Sequence, residues 1–450
     1  MRFQISCVAT LLLVASAGCG PSTSRPITLL DGGPPRPDGG GDAGPDAGSD
    51  AGSGSDAGSD AGSGGTAIRV HYPAGSHTLT VRGSAAPLSW TADAALTEVS
   101  TNTFSYSLEG MTGTLEFKPL LDGSTWSLGP NYHVAAGQTV DIYPHFTTTN
   151  GQVVTLISSF HSTVLPDNDR PVYAYYPPSY AENPTATYPV VYMHDGQNLW
   201  AALPQLAFAA TWNVDTAFDD AAAHGVCSAN GQIGWAAAPL GGSPTYCNGD
   251  GDCGTGTCRT FPEAIVIGVG NTAARIYEYT PTPDNEPPDA GPPTPGGGGG
   301  DLYIQLLVTE LKPTIESMLA GRARTDVADT AMAGSSLGGL ITSYAGYQRP
   351  DIYGLVAEIS PSTWWSNDGI LGFIQETQAA PDRPLRVYID SGSGDADDEV
   401  DTDQLAALYL SLGYQEGVDF HHVVQQGAQH SEVYWAQRFP GAMQTLLGER

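Results

Sequence analysis

The chain has 450 residues, 40% apolar and only 14% charged, with 56 glycines and 34 prolines. That is enough apolar residue for two cores, and it leaves part of the chain too rich in turn formers to fold. Its 48 acidic against 17 basic residues give a formal net charge of −31, which repels phosphate, excludes a nucleic-acid partner and provides no basic cluster for an anionic membrane face.

Residues 1–19 read as an export signal. Met1-Arg2 is followed by the apolar run Leu11, Leu12, Leu13, Val14 and Ala15, closed by Ser16-Ala17-Gly18-Cys19. The run is too short to span a bilayer as a helix and ends in small residues. It resembles a bacterial lipobox, which implies lipidation of Cys19 and a membrane contact through that lipid. Cleavage nearby without a lipid is the other reading. Gly20 stands where an Asp would signal retention in the inner membrane, so the expected address is the outer membrane or cell surface of a Gram-negative bacterium. Residues 20–65 are nearly all Gly, Ala, Ser, Pro and Asp; with almost nothing to bury, they predict a solvated linker.

The segment 66–148 alternates apolar and polar residues in short runs (68–70, 79–81, 104–108, 115–117, 140–142) separated by Gly, Pro, Asn and Asp turns. That spacing predicts a small β-sandwich. From 153 to 450 the pattern changes. Apolar runs at 172–176, 190–193, 264–269, 330–333, 385–389 and 420–424 alternate with helical patterns, and a mostly parallel sheet covered on both faces is expected. In 301–319, Leu307, Leu311, Ile315 and Leu319 share one face behind Asp301 as a candidate cap. Insertions interrupt this part at 227–258 and 281–300. The second, Pro-rich and ending in five glycines, is expected to be a mobile loop.

With Cys7 removed and Cys19 lipidated, Cys227, Cys247, Cys253 and Cys258 remain. An even set in an exported chain predicts two disulfides, their pairing open. The CxxC pairs of a zinc site are missing. Asn248, Asp250 and Asp252 alternate like calcium ligands, but turn formation in a short cysteine loop explains them, and no metal or other cofactor is expected.

The chemistry lies in Gly334-Ser335-Ser336-Leu337-Gly338-Gly339, directly after the 330–333 strand and before a helical pattern at 340–347. G-x-S-x-G at a strand-to-helix turn needs its glycines because side chains there would strike the neighbouring elements. The turn presents Ser336 as a nucleophile at the helix N-terminus. In an α/β hydrolase an acid and then a His follow the nucleophile. His421 and His422 lie within a strand, whereas His430 sits in a loop that can turn back over the sheet, and it is the expected base. The acid should follow the 385–389 strand. Of Asp390, Asp395, Asp397 and Asp398, Asp395 after Gly392-Ser393-Gly394 is preferred, with Asp398 and Asp397 behind it. The oxyanion N–H groups are expected from Leu337 and from Gln197 in His194-Asp195-Gly196-Gln197-Asn198. His194 precedes the nucleophile and is expected to shape that loop.

The stretch 170–446 resembles the esterase family that includes enterochelin, feruloyl and acetylxylan esterases, S-formylglutathione hydrolases and mycolyltransferases. The resemblance rests on Tyr192-Met193-His194-Asp195-Gly196-Gln197-Asn198-Leu199-Trp200, Asn271…Arg275…Glu278-Tyr279, Glu310-Leu311-Lys312-Pro313, the Ser336 motif, Ser360-Pro361-Ser362 with Trp364-Trp365, and His430…Glu432…Trp435. It implies an α/β-hydrolase fold, Ser336, His430 and Asp395 in catalysis, and substrate contacts at Asp195, Asn198, Trp200, Arg275, Trp364 and Trp435. The two insertions depart from the family. The 66–148 segment, through Arg82-Gly83-Ser84, Pro87-Leu88-Ser89-Trp90, Trp126 and Gly129-Pro130-Asn131, resembles starch-binding-type carbohydrate modules. Such modules stack sugars on exposed rings; Trp90 and Trp126 are either that platform or core.

The function expected is a serine esterase working through an acyl-enzyme on a small-molecule or polysaccharide ester, possible substrates including acylated carbohydrate. Siderophore esterase and acyltransferase are the alternatives. A non-catalytic, sugar-binding surface lipoprotein is the reading from another class.

Overall fold

The computed structural model describes residues 65–228, 246–254, 257–259, 262–284, 296–377, 383–394, 397 and 399–448. The expectations for the signal segment, Cys19, the linker, Asp395 and Asp398 lie outside the described residues.

Between 66 and 142 the chain makes two small sheets. In one, Thr66–His71 lies between Thr103–Leu108, antiparallel, and Thr139–Ile142, parallel, with Thr97–Ser100 at the edge. The other runs Ala94–Ala95, Leu79–Gly83, Thr114–Leu121, Thr125–Trp126, and Tyr132–Ala135 also pairs with Thr114–Leu121. Alternation explains the layering: Ile68 and Val70 point inward while Arg69 faces water. With Val81, Leu115, Phe117, Val134 and Ile142 they form one core. Trp90 and Trp126 are outside that core. Their rings lie 6.2 Å apart, half-buried and exposed, and the Arg82 guanidinium sits 5.3 Å from the Trp126 ring.

The rest of the described chain is built on an eight-stranded sheet: β1 (Gln152–Phe160), β2 (Arg170–Tyr176), β3 (Val190–Met193), β4 (Ile265–Val269), β5 (Thr330–Ser336), β6 (Leu355–Pro361), β7 (Arg386–Gly392) and β8 (Phe420–Gln425). The order is β1-β2-β4-β3-β5-β6-β7-β8, antiparallel at β1/β2 and β2/β4 and parallel beyond. Every residue of β3 and β4 is buried, as strands covered on both faces require. Val190 and Tyr192 pack with Leu307, Leu311, Ile315 and Tyr344 on one side; Val191 and Met193 pack with Val214, Phe218 and Phe439 on the other. This is the α/β-hydrolase fold, with the Ser336 strand near mid-sheet.

Two expectations change. The 301–319 pattern does bury Leu307, Leu311, Ile315 and Leu319, but as a helix Gly300–Leu306, a π-helical turn Leu307–Leu311 and a second helix Lys312–Met318. Pro313 has no N–H to donate into the preceding turn, which accounts for the wide π geometry. Asp301 is not the cap. It lies inside the first turn and accepts bonds from Tyr344 and Gln348. The end of the glycine tract is packed and hydrogen-bonded: Gly299 and Gly300 donate N–H to the carbonyls of Tyr277 (2.8 Å) and Thr280 (2.9 Å). A Cβ on Gly297 would lie 2.6 Å from Trp365, and one on Gly299 would strike the Tyr277 ring. Residues 285–295 lie outside the described residues.

The cysteine insertion turns toward the N-terminal sheets. Asp250 donates its N–H to Glu116 (3.1 Å), its carboxylate meets His133 (3.2 Å), and Asn131 donates N–H to the Asn248 carbonyl (3.1 Å). Cys247 and Cys258 form a disulfide and Cys253 is also disulfide-bonded; the Cys227 side chain lies outside the described residues. Asp250 and Asp252 accept N–H bonds from Cys258 and Asn248, each at 2.8 Å, the turn-forming role read from the sequence.

Candidate active site

Ser336 ends β5 and caps the helix Leu337–Gln348, with φ 57° and ψ −128°. A non-glycine residue in this region is strained and is held by its surroundings. The flanking glycines leave no room for a side chain. A Cβ at Gly334 would lie 2.6 Å from the Gly338 carbonyl, and one at Gly339 2.8 Å from Pro361. Leu337 is the first residue of the helix, where N–H groups have no intrahelical acceptor and the helix dipole favours negative charge.

The loop after β3 lies against the same turn. Asp195 adopts φ 55° and leads into the short helix Gly196–Asn198. A Cβ at Gly196 would lie 2.5 Å from the Gly268 carbonyl, so only glycine fits. The Asp195 carboxylate accepts from Arg275 Nε and Nη2, each at 2.8 Å, and from the Asn271 side-chain amide, while Gln197 Oε1 accepts the Asn271 N–H at 3.2 Å. The loop carrying the Gln197 N–H is therefore tied down from both sides. His194 is buried under the elbow, its Nδ1 3.0 Å from the Tyr303 hydroxyl, and a Gly338 Cβ would meet it at 3.3 Å. Burial pushes its pKa down to about 3, so it is neutral and acts as packing.

On the far side of the elbow, Ser362 donates its N–H to the Ser336 carbonyl (3.0 Å), and the two hydroxyls lie 3.4 Å apart. Two residues earlier Ser360, at φ 40°, donates its hydroxyl to Asp397 Oδ2 at 2.8 Å. Asp397 Oδ1 is 2.9 Å from His430 Nδ1, and Gly392 donates its N–H to Oδ2 at 2.6 Å. Burial, at 1% side-chain exposure, would raise this carboxyl. The donors His430, Ser360 and Gly392 outweigh it and hold Asp397 below the ordinary carboxylate range. The His430 ring stands edge-on against Trp435, centroids 5.0 Å apart. One turn, Ser360-Pro361-Ser362, thus touches Ser336 at one end and the carboxylate of His430 at the other.

Among the described residues, then, the carboxylate on His430 is that of Asp397, placed behind Asp395 in the sequence reading. His421 pairs with Glu416 and His422 lies near Asp403. The expected substrate contacts divide. Trp200 is fully buried, its ring against Gly268, and is core because β4 lies directly over it. Asp195 and Arg275 are spent on each other. Asn198 holds a loop, accepting N–H bonds from Phe208 (3.0 Å) and Trp212 (2.9 Å). Trp435 is buried behind His430. Trp364, 38% exposed and two residues past Ser362, presents an open face. Sequence reasoning missed Arg438, which donates to the Ser360 hydroxyl at 2.6 Å. Its signal was a lone charge in the apolar face of Trp435, Phe439, Ala442 and Met443.

Residues 256–446 match the Esterase family, described as "Putative esterase"; the match spans Ser336, Asp397 and His430. Fold, site and family match define a carboxylic ester hydrolase. The chain is 26% identical over 199 residues to the uncharacterized protein YbbA of Bacillus subtilis, covering 42% of this chain and 76% of that one. It is 33% identical over 101 residues to the siderophore enterobactin esterase of Emericella nidulans, covering 22% and 33%, so it spans about a third of that relative. Among solved structures it is similar to an IroE-like serine hydrolase from Shewanella oneidensis, at 19% identity and TM-score 0.45, covering 66% of this chain and 80% of that one.

Proposed function

We propose that the chain cleaves carboxylic esters through an acyl-enzyme on Ser336, with His430 as base and Asp397 as the acid behind it. The observation that carries this is the single turn joining Ser336, through Ser362, to the Asp397–His430 pair. As Ser336 Oγ attacks the ester carbonyl, His430 Nε2 takes its proton. The oxyanion forms toward the N–H groups of Leu337 and Gln197, and the alcohol leaves with the proton from His430. Water then repeats the sequence, and its attack on the acyl carbon releases the acid and frees Ser336.

The substrate class we favour is a small-molecule ester of siderophore type, supported by the relative named for that activity. Acylated carbohydrate is the second reading, supported by the Trp90–Trp126 pair outside the N-terminal core. The same reading exports the chain and tethers it by a lipid on Cys19; the Cys247–Cys258 disulfide suits an oxidising compartment. Radiolabelled palmitate entering wild type but not Cys19→Ala would support the tether, and equal labelling would sink it.

The full chain and Ser336→Ala should be assayed on p-nitrophenyl butyrate, enterobactin, methyl ferulate and acetylated xylan. Stoichiometric fluorophosphonate labelling and hydrolysis by wild type alone are expected, with enterobactin the best substrate. Faster turnover of acetylated xylan would move the substrate class to carbohydrate. Equal rates for both proteins would overturn the serine mechanism.

A further inference from the structure

We propose that the buried Arg438–Asp390 pair is a positioning device for this site: by gripping Ser360 it orients Asp397 behind His430 and seats Ser362 beside Ser336. The inference rests on the triad reading above and goes beyond it.

Ser360 stands at φ 40°, which is unfavourable for a residue with a side chain. Two groups hold it there. Asp390 Oδ1 accepts its N–H at 3.0 Å, and Arg438 donates to its hydroxyl at 2.6 Å. That hydroxyl, with its lone pair taken by Arg438, has its own proton left for Asp397 Oδ2 at 2.8 Å. The charged Asp397 can only accept, so it sets the direction of that bond, and Arg438 sets where the hydroxyl stands. Arg438 Nε lies 3.0 Å from Asp390 Oδ1 and its Nη1 donates to Gln425 Oε1 at 3.0 Å. Its Nη2 is also 3.6 Å from Asp397 Oδ2. All five side chains are buried.

An ion pair buried this deeply is a poor source of stability in itself, because desolvating both charges offsets their attraction. Its place is better explained by what it grips. The arrangement also has an electrical consequence. Arg438 faces Asp390, Asp397 and Tyr388; Asp390 faces Arg438 and Tyr388, with His422 farther off; His430 faces Asp397 and the Trp435 ring. Burial alone would lower the Arg438 guanidinium, and Asp390 more than reverses that, so it stays charged. Its charge offsets part of the Asp397 charge felt by His430. Removing the cation leaves the Asp397 charge less offset; removing the Asp390 anion leaves it more offset.

The test uses the full chain and the pH profile of kcat/KM on whichever ester wild type hydrolyses. Arg438→Gln is expected to move the acid limb up by about half a pH unit or more, and Asp390→Asn to move it down. The double variant should return toward the wild-type limb. Ser360→Ala, which breaks the grip without changing charge, should lower kcat roughly 10-fold or more with KM little changed. Should Arg438→Gln fail to fold, Asp390→Asn and Ser360→Ala decide the matter. Limbs that stay at the wild-type pH in folded variants, or shifts of the same sign in both, would refute the proposal. Activity surviving Ser336→Ala would instead refute the underlying triad reading.

Discussion

Asp397 holds a charge in a place that water hardly reaches, because three donors converge on it and one of them is His430. A neutral amide at this position would keep the shape. It would lose the charge that steadies the imidazolium, and with its oxygen held by the Ser360 and Gly392 donors its NH2 group would face His430 Nδ1 and favour the wrong tautomer. Asp397→Asn is therefore expected to lower kcat by on the order of 10³–10⁴-fold, the loss seen when a triad carboxylate becomes an amide. Asp395→Asn should stay within a few fold of wild type. Steady-state rates of the two variants check this, and a larger loss in Asp395→Asn would reverse the assignment. The strand-to-helix turn at Ser336 was legible in the sequence because such a turn has a motif, and His430 stood out because few histidines follow it. The acid was not, since 390, 395, 397 and 398 share one short segment and only the fold says which carboxylate meets Nδ1. Arg438 and Ser360 carry no local pattern of catalysis at all.

At the scale of elements, the parallel strands were legible because burial on both faces demands continuous apolar runs, as in β3 and β4. The glycine tract was not, because packing against Tyr277 and Trp365 leaves the same composition as a free loop. The loop after β3 joins these levels. It brings His194 beneath the elbow, and it tolerates the imidazole only when neutral. The folded pKa near 3 lies below the ordinary value of 6.5. Below pH 6.5 the unfolded chain takes up a proton that the folded one refuses. The neutral form's stability is thus whole above 6.5 and is lost as pH falls toward 3, by about 1.4 kcal/mol per pH unit. Urea unfolding at pH 7, 6 and 5 should show a shallower decline for His194→Gln than for wild type. Parallel declines would mean that His194 is charged in the fold.

The whole molecule joins two cores that sequence could separate but not dock. The change from alternating to helical patterns near 148 was visible in the sequence; the contacts between the two cores lie between residues far apart in the chain. The chief one is Glu182, just past β2. Its carboxylate accepts bonds from Tyr72 Oη (3.0 Å), Phe146 N (2.6 Å), Thr147 N (3.0 Å), Thr147 Oγ1 (2.7 Å) and Thr148 N (3.1 Å). Asn183 beside it donates to the carbonyls of His71 (2.9 Å) and Pro144 (3.1 Å). Burial raises the Glu182 carboxyl, but these donors outweigh it and hold it at about 2, against an ordinary 4.5. A lowered carboxyl stabilises the fold above its unfolded value, so the effect is complete above pH 4.5 and fades as pH drops toward 2. Glu182→Gln should cost ~1–2 kcal/mol at pH 7, a figure reduced for the partial exposure of the carboxylate. Its amide also turns two donors toward backbone N–H groups that need an acceptor. The gap from wild type should shrink steadily between pH 4.5 and 2.5, read from urea midpoints, and subtilisin should cut near 148 sooner in the variant at pH 7. A constant gap across that range would mean that shape, not charge, joins the two parts.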